Sequence, residues 1–209
     1  MKQYTYLQRS YSKSGIAFRL LGVDRTTNDV WASAGDDNAM KTALRKGTYG
    51  TLNIYFQTDL QSSPSSPTIP GTTLLGACTL PTNIGNAPPS AYVQDGCNVL
   101  AGSMSGGPTY GYNLGGNAVH EVGHWLGLLH PFQDETCDPN DPGDYVSDTP
   151  QESTSTSGCP IGKDSCPNSP GQDPISNYMD YSTDACYTGF TAGQGVRMSN
   201  LWTMYRKNK

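Results

Sequence analysis

Three histidines constrain this chain more than any other feature. They are the only ones among 209 residues, and His120, His124 and His130 all fall within GGNAVHEVGHWLGLLHPFQ, Gly115 to Gln133. The apolar spacing of Val119, Val122 and Leu126 predicts a helix over Asn117–Leu126. Residues four apart on a helix project from the same face one turn apart, so His120 and His124 can meet one ion. Gly127 can adopt a left-handed conformation at no steric cost, which ends the helix and turns His130 back toward the same point. Three neutral imidazoles with an open fourth position are the arrangement of a catalytic zinc, whereas a structural zinc is closed by four protein ligands. No cysteine lies in the window to close it.

Glu121 follows His120 and lies beside the metal-binding face, a poor place for a ligand but within reach of a zinc-bound water. Its expected role is general base: zinc lowers the pKa of the water, the carboxylate takes the proton, and the hydroxide attacks a carbonyl that zinc polarises. The same carboxyl can return the proton to the leaving amine. A lone H-x-x-x-H pattern is weak; the third histidine, Glu121 and Gly127 make it specific. A non-catalytic zinc-binding module, the competing class, has no use for the base.

Composition narrows the remaining possibilities. Charged residues are sparse at 15%, and 24 glycines and 15 prolines point to a loop-rich globule rather than long helices. The length suits one domain or one domain with two lobes. A net charge of -5, with no basic run beyond YRKNK at the end, argues against a nucleic-acid surface. No apolar run approaches a membrane span, and the start, MKQYTYLQ, has no signal-peptide core, so the chain is either cytosolic or relieved of a leader. Six cysteines, Cys78, Cys97, Cys137, Cys159, Cys166 and Cys186, in loop-like surroundings without a C-x-x-C pair favour disulfides and an oxidising, secreted setting.

The order of elements reads as α/β (α+β). GIAFRLLGV (Gly15–Val23) reads as a strand, DDNAMKTALRKG as a helix opened by Asp36 or Asp37 and closed by Gly47, and TLNIYFQT as a buried strand. GTTLLGACTLP (Gly71–Pro81) and GCNVLAGSM read as two more strands, whose Cys78 and Cys97 could be cross-linked, one of them at a sheet edge. Residues Pro131–Cys186 have almost no periodicity and read as an irregular lobe held by disulfides or ions. At the end, Thr191 and Gln194 form a capping-box pattern opening a helix, with Val196, Leu201 and Met204 as its apolar face.

The string His120-Glu-Val-Gly-His124-Trp-Leu-Gly127-Leu-Leu-His130 is the H-E-x-x-H-x-x-G-x-x-H signature of the metzincin metalloproteases. The clan's downstream methionine turn is matched by NYMDYS, with Met179 and Tyr181. Further blocks, among them GVDRT, LNIYF, DGCNVL, GDYVSDTP, CPIGKDSC, DPISNYMDYSTDAC and FTAGQGVRM, resemble the pappalysin family, most closely its fungal secreted extracellular metalloproteases.

The resemblance implies one catalytic domain over residues 1–209. It is a metzincin-like two-lobe fold, with a twisted mixed sheet and helices in an upper lobe of about residues 1–130 over an irregular, disulfide-linked lower lobe of about 131–209. It implies that Met179 forms a hydrophobic floor under the zinc without ligating it, and that Tyr181 can stabilise the oxyanion of the tetrahedral intermediate. It pairs Cys137 with Cys166 and Cys159 with Cys186, leaving Cys78 with Cys97. Relatives also hold calcium near PGDYVSDTP (Pro142–Pro150), where Asp144, Asp148, Thr149 and the Val146 carbonyl could supply oxygen ligands. An acidic turn without an ion remains the alternative there. Some relatives select basic side chains through an acid in the primed-side pocket; Ala185 precedes Cys186 here, so that preference is not carried over.

The function expected is a secreted, monomeric zinc endopeptidase acting on internal bonds of protein substrates held along an edge strand. A narrow-specificity processing protease and a zinc- or calcium-stabilised binding module are the alternatives.

Overall fold

A computed structural model describes residues 1–60, 74–141 and 143–209. Residues 71–73 of the expected strand Gly71–Pro81, and Pro142 of the acidic loop, lie outside them. The elements with their bounds are α1 (Lys2–Ser12), α2 (Asp29–Ala32), α3 (Asp37–Leu44), β1 (Ile54–Gln57), β2 (Gly76–Cys78), α4 (Pro89–Gln94), β3 (Cys97–Leu100), α5 (Gly116–Trp125) and α6 (Ala192–Tyr205). The architecture is mixed α/β. The described strands form one sheet in the order β1-β3-β2. β1 runs parallel to β3 with Ile54 opposite Cys97, and β2 runs antiparallel to it with Cys78 opposite Cys97. Those two cysteines are joined across the strands.

Helix α5 lies at the centre, against β2, β3 and α1. Its Ala118, Val119, Val122 and Trp125 share a core with Leu7 and Tyr11 of α1, Val99 of β3, Met198 of α6, and Tyr178 and Met179. Every residue from Gly116 to Gly123 is buried, so this helix is enclosed rather than laid on a surface. The Tyr11 hydroxyl donates to the Val119 carbonyl at 2.7 Å, tying α1 to it.

Two expectations need correction. Gly15–Val23 is not a strand. Gln8 of α1 satisfies Phe18 in the manner of a neighbouring strand: its Oε1 accepts the Phe18 N–H and its Nε2 donates to the Phe18 carbonyl, both at 2.7 Å. With those groups occupied, Leu20, Leu21 and Val23 are left exposed. The opening residues, for which the sequence suggested no element, form helix α1, with Leu7 and Tyr11 four apart on its buried face. On α6 the Thr191–Gln194 capping box is present, but the buried face is Gln194, Gly195 and Met198, while Val196 and Met204 face solvent. Gln194 can be buried because Asn177 pairs with its amide, so hydropathy misjudges that face.

Among the described residues, 131–190 contain only a 3-10 turn at Gln133–Glu135 and one bridge, Asn177–Gly189. Disulfides Cys137–Cys166 and Cys159–Cys186 cross this segment. Lys163 supports it from within, its ammonium 2.6 Å from Glu152 Oε1 and 2.7 Å from Asp173 Oδ2.

Candidate active site and metal centre

Helix α5 stops where Gly127 adopts φ +97°. The Gly127 N–H donates to the His124 carbonyl and the Leu128 N–H to the Gly123 carbonyl, at 2.8 and 2.9 Å, a Schellman closure that turns the chain sharply. The turn returns His130 to the helix. The three Nε2 atoms of His120, His124 and His130 lie 3.0–3.2 Å from one another. His120 Nδ1 donates to the Tyr178 carbonyl and His124 Nδ1 to the Leu128 carbonyl, each at 2.8 Å. These bonds fix the tautomer that leaves both Nε2 lone pairs facing inward.

Burial keeps the ring nitrogens unprotonated. It holds His120 well below its usual value, with His124 and His130 adding to the effect; it lowers His124, and takes His130 down to about 3 with help from His124. Three neutral nitrogens at this separation repel one another unless a cation joins them, and the spacing suits Zn–N bonds of about 2.0–2.1 Å in a tetrahedral site. Among the described residues this is the one cluster of three or more His, Cys, Asp or Glu side chains that could hold a metal.

Glu121 is buried, with its side chain against Gly76 of β2. Its Oε2 has no hydrogen-bond partner among the described residues, and burial pushes its carboxyl up to about 8. Met179 is fully enclosed, with its sulfur packed against Gly123, where a side chain larger than hydrogen would collide. Tyr181, 45% exposed, presents its ring 4.9 Å from that of His130 and 5.6 Å from that of His120. Partial burial and then the charges of Glu121 and Asp180 push its phenol up to about 12.

The structure therefore brings His120, His124, His130, Met179 and Tyr181 into one neighbourhood. The acidic loop lies elsewhere, against the start of α6, where Asp148 Oδ2 accepts the Gly193 N–H at 2.8 Å. Asp144 Oδ1 accepts the Val146 N–H at 2.9 Å. Asp144 Oδ2 and Thr149 Oγ1 are buried without a partner among the described residues, and the Val146 carbonyl already accepts the Thr149 N–H.

A family model described as pregnancy-associated plasma protein-A, a peptidase family, matches residues 72–203. The chain belongs to the pappalysin family. Extracellular metalloproteases of Aspergillus fumigatus and Aspergillus oryzae are 51% and 50% identical to it over 99% of this chain and 70% of their own length. A solved structure of mirolysin, from Tannerella forsythia, superposes with a TM-score of 0.72 at 25% identity over 96% of this chain and 82% of that one. This pappalysin-family chain is a metalloendopeptidase and an extracellular protein, with a three-histidine cluster compatible with zinc.

Three residues of this pappalysin-family site escaped the sequence reading. Phe132 stacks on His130 with ring centroids 4.7 Å apart and planes within 6°, and its place two residues past the last histidine was the available signal. Gly76 borders Glu121 across the sheet edge. Asp184 reaches the start of α5 from the segment after Met179. Both of these contacts join residues far apart in sequence, and no local pattern carries them.

Proposed function

We propose that this chain, as one catalytic domain acting as a monomer, hydrolyses internal peptide bonds of protein substrates lying between residues of about 1–130 and about 131–209. His120, His124 and His130 would hold one zinc ion. The convergence of three Nε2 atoms within 3.0–3.2 Å, with two of the rings anchored through Nδ1, carries this reading. Zinc on three imidazoles supplies Lewis acidity, lowering the pKa of a water toward neutrality and polarising a carbonyl.

Glu121 takes the proton of the attacking water at its carboxylate and hands it to the amine that leaves. In the metal-free chain burial raises its carboxyl to about 8; a zinc ion at the histidines would lower it and favour the carboxylate that takes the proton. The Tyr181 phenol, pushed up to about 12, stays protonated and can donate a hydrogen bond to the developing oxyanion. Met179 fills the space beneath the histidine-bearing helix and holds Gly123 at a fixed height. Among the described strands β2 stands at the sheet edge, where an extended peptide can add through backbone hydrogen bonds.

The test compares zinc content and casein hydrolysis of the native chain with those of Glu121→Gln. Full zinc content with hydrolysis reduced at least about a hundredfold is expected of the variant. Equal hydrolysis would remove Glu121 from the mechanism, and loss of zinc would make it a ligand.

The orphaned Asp144 Oδ2 and Thr149 Oγ1 support a second site, for calcium, with the Val146 carbonyl as a further oxygen. Calcium titration of the native chain and of Asp144→Ala, read by calorimetry, tests it: binding lost in the variant supports the site, and no binding by either protein dismisses it.

A further inference from the structure

We propose that Asp184 is a positioning residue for the metal centre, clamping the start of helix α5 to the segment that carries Met179. Helix α5 has no N-cap side chain of its own, since its N-cap residue is Gly115. Its first free N–H groups are instead met from the far side of the fold. Asp184 Oδ2 accepts from the backbone N–H of Leu114, Gly115 and Gly116 at 2.7, 3.0 and 3.3 Å. A buried carboxylate at a helix N-terminus is favoured both by these charge-assisted bonds and by the helix dipole. Asp184 is only 3% exposed, so water cannot replace it.

The local sequence is shaped to admit the carboxylate. Gly115 sits at φ +106°, a conformation that disfavours other residues, and a Cβ on Gly116 would stand 2.5 Å from Asp184 Oδ1. Gly116 thus clears the approach of the carboxylate, while a Cβ on Gly115 would meet Gln3 and Ser105. The Asp184 N–H donates in turn to the Gly111 carbonyl at 2.9 Å. On the opposite side Gln3 of α1 donates to the Gly115 carbonyl at 3.0 Å, so residue 115 is held from both directions.

What this fixes is the placement of His120. The segment 178–184 grips α5 at three places: the Tyr178 carbonyl accepts a hydrogen bond from His120 Nδ1, Met179 packs under Gly123, and Asp184 holds the first turn. The first and last of these lie one helical turn apart along α5. Without Asp184 the first turn loses its partners and the His120 ring loses a fixed distance to the Tyr178 carbonyl. Partners that orient a ligand in this way typically alter metal affinity by about 10–100-fold.

The inference rests on zinc binding at the three histidines. Zinc affinity of Asp184→Ala and Asp184→Asn is measured by chelator competition, at a temperature where circular dichroism shows each protein folded, together with kcat and KM on a peptide substrate. Asp184→Ala is expected to bind zinc at least about tenfold more weakly, with kcat lowered and KM little changed. Asp184→Asn, which keeps the shape and one acceptor, should fall between. A folded Asp184→Ala with native zinc affinity and native kcat overturns the proposal and reduces Asp184 to a stabilising contact; should that variant not fold, the same result for Asp184→Asn overturns it. A native chain that takes up no zinc would instead overturn the reading of the centre itself, and this inference with it.

Discussion

Gly76 of the edge strand lies directly against Glu121: a Cβ on residue 76 would stand 2.5 Å from Glu121 Cγ and 2.6 Å from its Oε1. Strand β2, at the edge among the described strands, therefore also sets the position of the proposed base. Gly76→Ala must push the carboxylate aside. Misplacing a reacting group by about 1 Å can cost about a hundredfold in rate, so kcat/KM should fall at least about tenfold while bound zinc stays stoichiometric. Overpacking should cost about 1–3 kcal/mol of stability. Steady-state kinetics with metal analysis of the same samples checks this, and unchanged kcat/KM would show that Glu121 tolerates displacement.

Glu121 should also make metal-free stability depend on pH in a definite direction. Burial raises its folded carboxyl from 4.5 to about 8. The folded chain then holds a proton that the unfolded chain has released, so this contribution is complete below the unfolded value and is lost as pH rises through the folded one. Chelator-treated Glu121→Gln should thus gain stability relative to the chelator-treated native chain between pH 4.5 and about 8. Parallel denaturant titrations across that window measure the difference, and a constant offset would contradict the burial of Glu121.

The acidic loop has its own pH signature. Burial raises Asp144 from 3.8 to about 6, so without an ion its contribution to stability falls as pH rises through that range. Calcium needs the carboxylate form and must displace that proton. Calcium affinity is therefore expected to rise as pH increases toward about 6 and to level off above it. Calorimetric titrations at several pH values check this, and affinity independent of pH would exclude Asp144 as a ligand.

Arg206 secures the other end of α5. It is fully buried, 2.9 Å from Asp95 Oδ1; it donates to the Trp125 carbonyl at 2.9 Å and lies 3.8 Å over the Trp125 ring. Asp95 keeps Arg45, Thr79 and Trp125 as partners, so removing the guanidinium costs its charge-assisted bonds rather than a stranded charge, about 1.5–3 kcal/mol. Arg206→Ala should lose that much in denaturant unfolding, and a loss below about 1 kcal/mol would mean water replaces the guanidinium.

The histidine window was legible because its logic is local. Two ligands four apart, a glycine that permits φ +97° and a third histidine three residues on are all encoded within eleven positions, where helical geometry alone places the side chains. The helix over Asp37–Leu44, the capping box of α6 and the strands around Tyr55, Ala77 and Val99 were readable for the same reason, since caps and short apolar runs are near-neighbour effects. Tertiary structure decided whatever depends on distant partners. Gly15–Val23 reads as a strand, yet Gln8 occupies Phe18, where a strand neighbour would pair. Hydropathy put Val196 in the core of α6, yet Asn177 buries Gln194 instead. Gly76 against Glu121 and Asp184 against Gly115 likewise join residues 45 and 69 positions apart. The sequence by itself determined which atoms could gather around a metal; the packing of β2, of α1 and of the segment after Met179 against α5 determined how firmly they are held, because a buried polar group acquires its partner only when the chain has closed around it.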